Sequence, residues 1–524
     1  MAYPEVIIPP SVKPTSPYEP QLADDQTIAF SPRFGRGATQ RQVWADPLWG
    51  WSLRYRALAG ADRALVRSAI LNARGKAANL RMTPGQPLRG SFPAYELLTN
   101  NDFSKGTTGW TGIRCTLTAS DGVLRATNTK SAGATTFELY QSIPLTQYLP
   151  YVGRGFISSV SRLGMAGGVY LDASNYALNP QGLLSKAFVP NATGGVAFYP
   201  GVFDTSGVAS IAGDYGDISY ASVSRCALVD NGPNAFLQSS KADQSPWAYS
   251  NASGDDNGTA SPDGTTTSQY VLENTANAPH YMYQDVVVSS AAGDYSASVY
   301  VVANLRTWGY IQLIELTGST SVFAFVNFST GAVGTTSTGA NWSNLRIAVV
   351  SCGNGWFRIT LTARKTNAAT SVRFVLGGAT ADNVGTYVGS AASVAFLWWR
   401  ASLAQSSIPV RSVETTTTAT TGTAQSGGTI YVKGLPASTS GLLLAGDFFE
   451  INGELKQCTA SLDSDAAGLG ALQFRPGLWS SPADNDPVII LNPMGRFSLA
   501  SNPRITDHYG LYTDVELELV EAGP

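Results

Sequence analysis

GDFFEINGELKQC, residues 446–458, carries two short runs of alternating character that meet at Asn452-Gly453. An Asn-Gly pair accepts the positive backbone angles that a two-residue turn needs, so the stretch predicts a β-hairpin and a β setting for the C-terminal part of the chain. The neighbouring runs agree. ALQFR (471–475), PVIIL (487–491) and TDVELELVE (513–521) have strand length. In the last of these, Val515, Leu517 and Leu519 alternate with Asp514, Glu516 and Glu518, giving one apolar and one acidic side. No helical period appears among these strands, so a helix that covers their apolar side must come from elsewhere in the chain.

The N-terminal part has the opposite deficit. Trp51, Leu53, Tyr55 and Ala57 alternate with Ser52, Arg54 and Arg56, which predicts one half-buried strand. GADRALVRSAILNARG (60–75) then predicts a helix over 62–74: Asp62 caps it, Leu65, Val66, Ala69, Ile70 and Ala73 share a face, and Gly75 closes it. A further strand is expected over 77–82. A helix and two strands cannot close a core, so 1–92 and 409–524 are expected to fold together as one split domain. Charge marks the same region. Between Arg33 and Arg89 there are eleven Lys or Arg against Asp46 and Asp62 alone. Such a cluster repels itself unless acids approach it, which makes Arg54, Arg56, Arg63 and Arg67 candidates for an assembly interface or for pairing with the acidic side of 514–518.

Between these ends the chain turns to Gly, Ser, Thr and Asn with short alternating apolar runs, the pattern of β-sandwiches. Two similar units are predicted, 93–235 and 236–408, each closing on an apolar strand with Arg-x-x-Leu, Arg225 to Leu228 and Arg400 to Leu403. TTTTATTGTAQSGG (415–428) reads as a polar, flexible linker. The fold expected is all-β with one helix: a split N/C-terminal β-sandwich ring domain carrying two inserted jelly-roll modules. Composition fits, since 53 Gly and 28 Pro in 524 residues punctuate many turns and only 14% of residues are charged. A net charge of −3 speaks against a nucleic-acid partner, and no apolar run reaches the ~18 residues of a membrane span. The N-terminal stretch lacks the pattern of a secretion signal, and the four cysteines lie more than 100 residues apart without a CxxC, so synthesis and folding in a cytoplasm with reduced thiols are expected.

Catalytic groups are sparse. His508 adjoins Asp507, but neighbours on a strand face opposite ways, and His280 after Pro279 is expected to be an exposed polar side chain. No GxSxG elbow or phosphate loop occurs. Asp255, Asp256 and Asp263 share a polar loop whose spacing fails the calcium-hand pattern, so no cofactor is expected, with a structural calcium in such a loop left open. Aromatic residues remain. Tyr281 and Tyr283, and Trp308 and Tyr310, fall at period-two positions; on one sheet face they would form a stacking platform for sugar rings, the alternative being core filling. Trp356, Trp398 and Trp399 are expected to be structural.

SPRFGRGATQRQVWADPLWGWSLRYRAL (31–58), the helix after it, and the closing GDFFEINGELKQCTASL, QFRPGLW and DPVIILNPMGRFSL resemble the split β-domain of distal tail proteins from long-tailed bacteriophages. NDFSKGTTGWTGIRCTLTASDGVLRATN (101–128) resembles an inserted jelly-roll module of phage tail proteins, and NGWFRITLTA and FLWWRASLAQSSIPVRSVETTTT resemble the last strands of phage carbohydrate-binding modules. Trp399-Arg400 departs from the small residues usual there, so ligand preference does not carry over. The resemblance implies a structural virion protein at the tail tip: a ring, expected to be a homo-hexamer, that joins the tail tube to the baseplate. It would contact tape measure and baseplate hub proteins and present modules to host-surface polysaccharide. Two other classes stay open, a glycan-degrading tail enzyme and a trimeric receptor-binding fibre or tip.

Overall fold

A computed structural model describes the chain except for residues 1–4, 9, 11, 16–19, 24–25, 31–38, 44–47, 74–78, 86, 130–135, 162–165, 172–174, 180–181, 205–210, 257–258 and 523–524. Strands are the dominant regular structure of the described residues, with one helix, Gly60–Ala73. Arg74 and Gly75, expected to end that helix, lie outside the described residues.

Both chain ends enter one seven-stranded sheet, in the order Glu5–Ile7, Asn79–Met82, Gly495–Leu499, Tyr512–Glu521, Leu48–Leu58, Gln21–Ala23, with Arg504–His508 also on Tyr512–Glu521. The two alternating strands meet antiparallel, Trp51 opposite Leu519, Leu53 opposite Leu517 and Tyr55 opposite Val515. Their apolar sides form one buried layer with Val66, Ala69, Ile70 and Ala73 of the helix. Each fully buried Val, Leu or Ile of this layer contributes about 1.5–3 kcal/mol by leaving water. The N-terminal part thus supplies the helix that the C-terminal strands lack.

A closed barrel stands beside this sheet, built from Ala227–Val229, Thr429–Lys433, Gly470–Arg475, Glu454–Cys458, Phe448–Ile451 and Pro487–Ile489. The expected hairpin is there, with Asn452 at φ 51° and Gly453 at φ 76°. Ala227–Val229 was expected inside the first inserted module; it closes the barrel instead, antiparallel to both Thr429–Lys433 and Pro487–Ile489. Ala227 and Val229 enter the barrel core while Leu228 packs outward on Val152, Ile408 and Ile489, so both faces of this short strand are apolar.

Two sandwiches occupy the middle of the chain. The first pairs two five-stranded sheets around Phe137, Phe198 and Phe203, and it is tied to the barrel through Arg154, fully buried, which donates to the Asn492 carbonyl at 3.0 Å and pairs with Glu450 at 3.5 Å. The second pairs two six-stranded sheets. One runs Ala248–Ser250, Tyr281–Val287, Ser371–Ala379, Trp308–Glu315, Ser321–Asn327, Val333–Thr338, and the other is centred on Ser393–Ala404 and Gly293–Ala303. Between them lies a core that includes Phe236, Trp247, Phe374 and Trp398.

The stretch 415–428 is not a free linker. Thr415 Oγ1 donates to the Phe236 carbonyl at 2.7 Å, the amide of Gln238 donates to Thr416 O at 2.7 Å, and Asn234 and Thr420 exchange backbone hydrogen bonds at 2.9 Å. The stretch entering the second sandwich and the stretch leaving it therefore run side by side.

Candidate functional site

Alternation along the Tyr281–Val287 strand turns Met282, Gln284 and Val286 into the sandwich and leaves Tyr281, Tyr283, Asp285 and Val287 on the outer face. The same parity on Trp308–Glu315 puts Ile311 and Leu313 inside and Trp308, Tyr310, Gln312 and Ile314 outside. Strand register brings these positions into rows. Tyr281, Gly377, Tyr310 and Phe325 lie side by side across four strands, and Tyr283, Val375, Gln312 and Phe323 form the next row. Trp308 stands one row further on, beside Ala379 and Asn327. With strands ~4.8 Å apart, each four-strand row spans ~14 Å.

The four aromatic residues singled out in the sequence thus share one outer face, though not in equal roles. Tyr310 is buried. A Cβ on Gly377 would lie 2.3 Å from the Tyr310 ring and one on Gly385 would lie 3.3 Å from it, so the ring fits between two glycines. Burial pushes its hydroxyl well above the usual tyrosine range, with Tyr281 and Tyr387 nearby adding to the effect. Tyr281, Tyr283 and Trp308 are only partly covered. The Tyr281 and Tyr283 rings sit 6.0 Å apart, and the Arg373 guanidinium lies over Tyr283 at 4.1 Å. At the other end Asp382 accepts from the Thr335 amide at 2.7 Å and from its hydroxyl at 3.0 Å, which ties the 380–385 loop down beside Trp308.

Gln312 is the residue that the sequence reading missed. It is half-buried in the middle of the second row, and among the described residues its amide makes no hydrogen bond. Its side-chain amide carries both donor and acceptor groups on the outer face. The signal was available: the period that selects Trp308 and Tyr310 continues to Gln312 in WGYIQL.

The opposite outer face of this sandwich is also aromatic, with Trp356, Leu397 and Trp399 buried together beside Tyr270 and Tyr300. Here residues 259–268 lie on top. Trp356 Nε1 donates to Ala260 O at 3.1 Å and Trp399 Nε1 to Thr267 Oγ1 at 3.0 Å. Burial would raise Asp263, but hydrogen bonds from Thr265 and Ser261 and the charge of Arg400 outweigh it and hold the carboxyl below its usual range. Asp256 pairs with Lys241 at 3.1 Å. The loop acids thus turn to different partners, and among the described residues no group of three or more His, Cys, Asp or Glu is placed to hold a metal ion.

Both histidines have structural surroundings. His280, expected to be exposed, is fully buried: Nδ1 lies 2.6 Å from Asn251 O and Nε2 lies 3.1 Å from Ala276 O, in a space that a side chain on Gly389 would fill. His508 reaches across its own turn to Asp514 at 3.3 Å and stacks on Tyr512, while Asp507 takes Arg67 and Thr513, so strand alternation separates the two neighbours as expected.

The candidate assembly arginines are engaged mostly within the chain. Arg54 pairs with Glu516 at 3.6 Å, Arg63 Nη1 donates to Gly510 O at 2.9 Å, and Arg67 pairs with Asp507 at 3.1 Å. Arg56 is exposed, and its charge lies near Asp514. The acidic side of the last strand does approach the basic segment, within the same molecule.

No protein-family model matches the chain, and no curated protein matches it. Among solved structures, the N-terminal CBM22-1–CBM22-2 tandem domain of Xyn10C from Paenibacillus barcinonensis aligns with 61% of this chain and all of its own, at 11% identity and a TM-score of 0.22. The arabinofuranosyltransferase AftD from Mycobacteria aligns with 78% of this chain and 41% of its own, at 10% identity and a TM-score of 0.15. Likenesses this slight fix neither the fold nor the function.

Proposed function

We propose that the second sandwich binds carbohydrate on its outer aromatic face, and that the chain is a structural tail-tip protein of a bacteriophage that holds this module toward the host surface. The observation that carries the binding reading is Gln312, whose side-chain amide has no hydrogen-bond partner among the described residues and which shares the outer face with the half-exposed rings of Tyr281, Tyr283 and Trp308. Flat rings take the C–H faces of sugars and an amide takes their hydroxyls, which is the mixture of surfaces that a glycan needs. The reading is of binding without cleavage. Trp308→Ala and Gln312→Ala should each weaken retention on host-envelope polysaccharide. Reducing ends released by the unaltered chain would replace this reading with that of a depolymerase.

The tail-tip reading rests on the sequence resemblance and is supported by the interleaving of both chain ends in one sheet, which leaves the sandwiches as excursions from a common base. Identical bases close into a ring through a heterologous interface used head to tail, and several weak sugar sites on one ring add up to useful avidity. Negative-stain images of the purified chain test this. Six-fold rings support it, and three-fold elongated particles would favour a fibre or receptor-binding tip.

A further inference from the structure

The charges on the aromatic face narrow the class of glycan; this step rests on the glycan-binding reading of the same face. We infer that the face takes neutral, hydroxyl-rich polysaccharide and rejects chains that carry carboxylate or phosphate groups.

The charged side chains among the described residues of that face are Asp285, Arg373 and Asp382. Arg373 is the one that an anionic sugar would need, and it is already occupied. Its Nε donates to Asp285 Oδ1 at 2.6 Å and its Nη2 to Asp285 Oδ2 at 2.8 Å, the two-pronged geometry in which a guanidinium otherwise grips a ligand carboxylate or phosphate. The guanidinium also lies over the Tyr283 ring, 4.1 Å from its centroid, which fixes it at a second point. Arg306, at the start of the Trp308 strand, is likewise committed: its Nε donates to the buried carboxylate of Glu273 at 3.1 Å and its guanidinium lies over Tyr387.

Asp382 points the same way from the opposite side. It is exposed beside Trp308, its two oxygens are oriented by Thr335, and among the described residues it has no cationic partner. Two carboxylates against one guanidinium leave the face with a formal charge of −1, so an anionic chain laid across Trp308 meets a like charge. A neutral chain meets none of these penalties. Its hydroxyls find an acceptor in Asp382 and both donor and acceptor in Gln312, and its C–H faces find three rings.

Affinity electrophoresis of the full chain, in gels containing either neutral polymers (a β-glucan, xylan, galactomannan or amylose) or anionic ones (polygalacturonate, hyaluronate or teichoic acid), tests the inference. At least one neutral polymer should retard the chain and no anionic one should. Trp308→Ala should lower that retardation roughly three- to tenfold, the value of one stacked ring. The double variant Asp285→Asn, Asp382→Asn releases Arg373 and removes the repelling charge, so it should gain retardation by anionic polymers that disappears near ~0.5 M salt. Its melting temperature confirms that it is folded; if it does not fold, Asp382→Asn alone should still acquire some anionic binding. Retardation of the unaltered chain by anionic polymers at least as strong as by neutral ones overturns the neutral class while leaving glycan binding intact. Folded charge variants that gain nothing overturn the charge argument. No retardation by any polymer takes the glycan reading down with it.

Discussion

Trp308 and Trp356 belong to the same sandwich but differ in what covers them. Trp356 is 2% exposed, packs on Leu397 and Trp399, and gives its indole N–H to Ala260 O. Trp356→Ala should therefore cost about 3–5 kcal/mol and lower the melting temperature of the sandwich, whereas Trp308→Ala, at a half-open position, should barely move it. Calorimetry of the two variants checks this, and equal losses would make Trp308 a core residue. Glu521 offers a separate test in the terminal sheet. It accepts the Trp49 amide at 3.1 Å, and its carboxyl is pushed up to about 7, first by burial; Trp49 and Lys456 oppose that rise and Glu454 adds to it. A group whose folded pKa lies above its unfolded value adds stability that is fully present below ~4.5 and is lost as the pH rises through ~7, here on the order of 3 kcal/mol. Glu521→Gln, which copies the protonated form, should thus melt higher than the unaltered chain at about pH 8 and equally at about pH 4.5. A difference that does not vary with pH would show that Glu521 does not titrate in this window.

At the scale of elements, the second sandwich is held by its neck. Asn234 is fully buried and uses its whole amide: Nδ2 donates to Ala401 O and Val413 O, and Oδ1 accepts from the amides of Phe236 and Leu403. Removing it orphans several buried backbone groups, at about 1–3 kcal/mol each, so Asn234→Ala should cost roughly 3 kcal/mol or more and open 415–428 to protease. Unchanged resistance to cleavage would mean that other contacts pin the neck. This neck also shows what a sequence can and cannot convey. The Asn452-Gly453 hairpin, the helical face of Val66, Ala69, Ile70 and Ala73, and the alternation of Val515, Leu517 and Leu519 were legible because each is set by residues within a few positions. The pinning of 415–428 was not, because its partners Asn234, Phe236 and Gln238 lie some 180 positions away and a run of threonines has the same polarity whether free or bound. Ala227–Val229 is too short to show a period. Trp308 and Tyr310 have identical parity, and what separates a half-open ring from a buried one is Gly377 and Gly385, on other segments. His280 was misjudged for the same reason, since the space it fills is left by Gly389.

At the scale of the whole molecule, the topology distinguishes two deletions that the sequence alone would treat as equivalent. Removing roughly 95–408 to join the two chain ends also removes Ala227–Val229, whose pairing with Thr429–Lys433 and Pro487–Ile489 closes the barrel. Ile430, Val432 and Val488 share the barrel core with Ala227 and Val229, and the edges of both partner strands would lie unpaired, a template for aggregation. Removing only 235–419 is different. Asn234 and Thr420 already exchange backbone hydrogen bonds as an antiparallel pair, ~5.5 Å apart between Cα atoms, so a two-residue Asn-Gly turn inserted at the junction joins them without moving either, and the barrel keeps its strand. The shorter deletion should give a folded, cooperatively melting protein that assembles as the full chain does and no longer binds glycan, while the longer one should aggregate. Light scattering, calorimetry and electrophoresis in polysaccharide gels read the three properties separately. If the chain without 235–419 loses assembly and the excised sandwich retains it, the shared sheet of the two chain ends is not the base of the oligomer; if it keeps glycan binding, the aromatic face of the second sandwich is not the site.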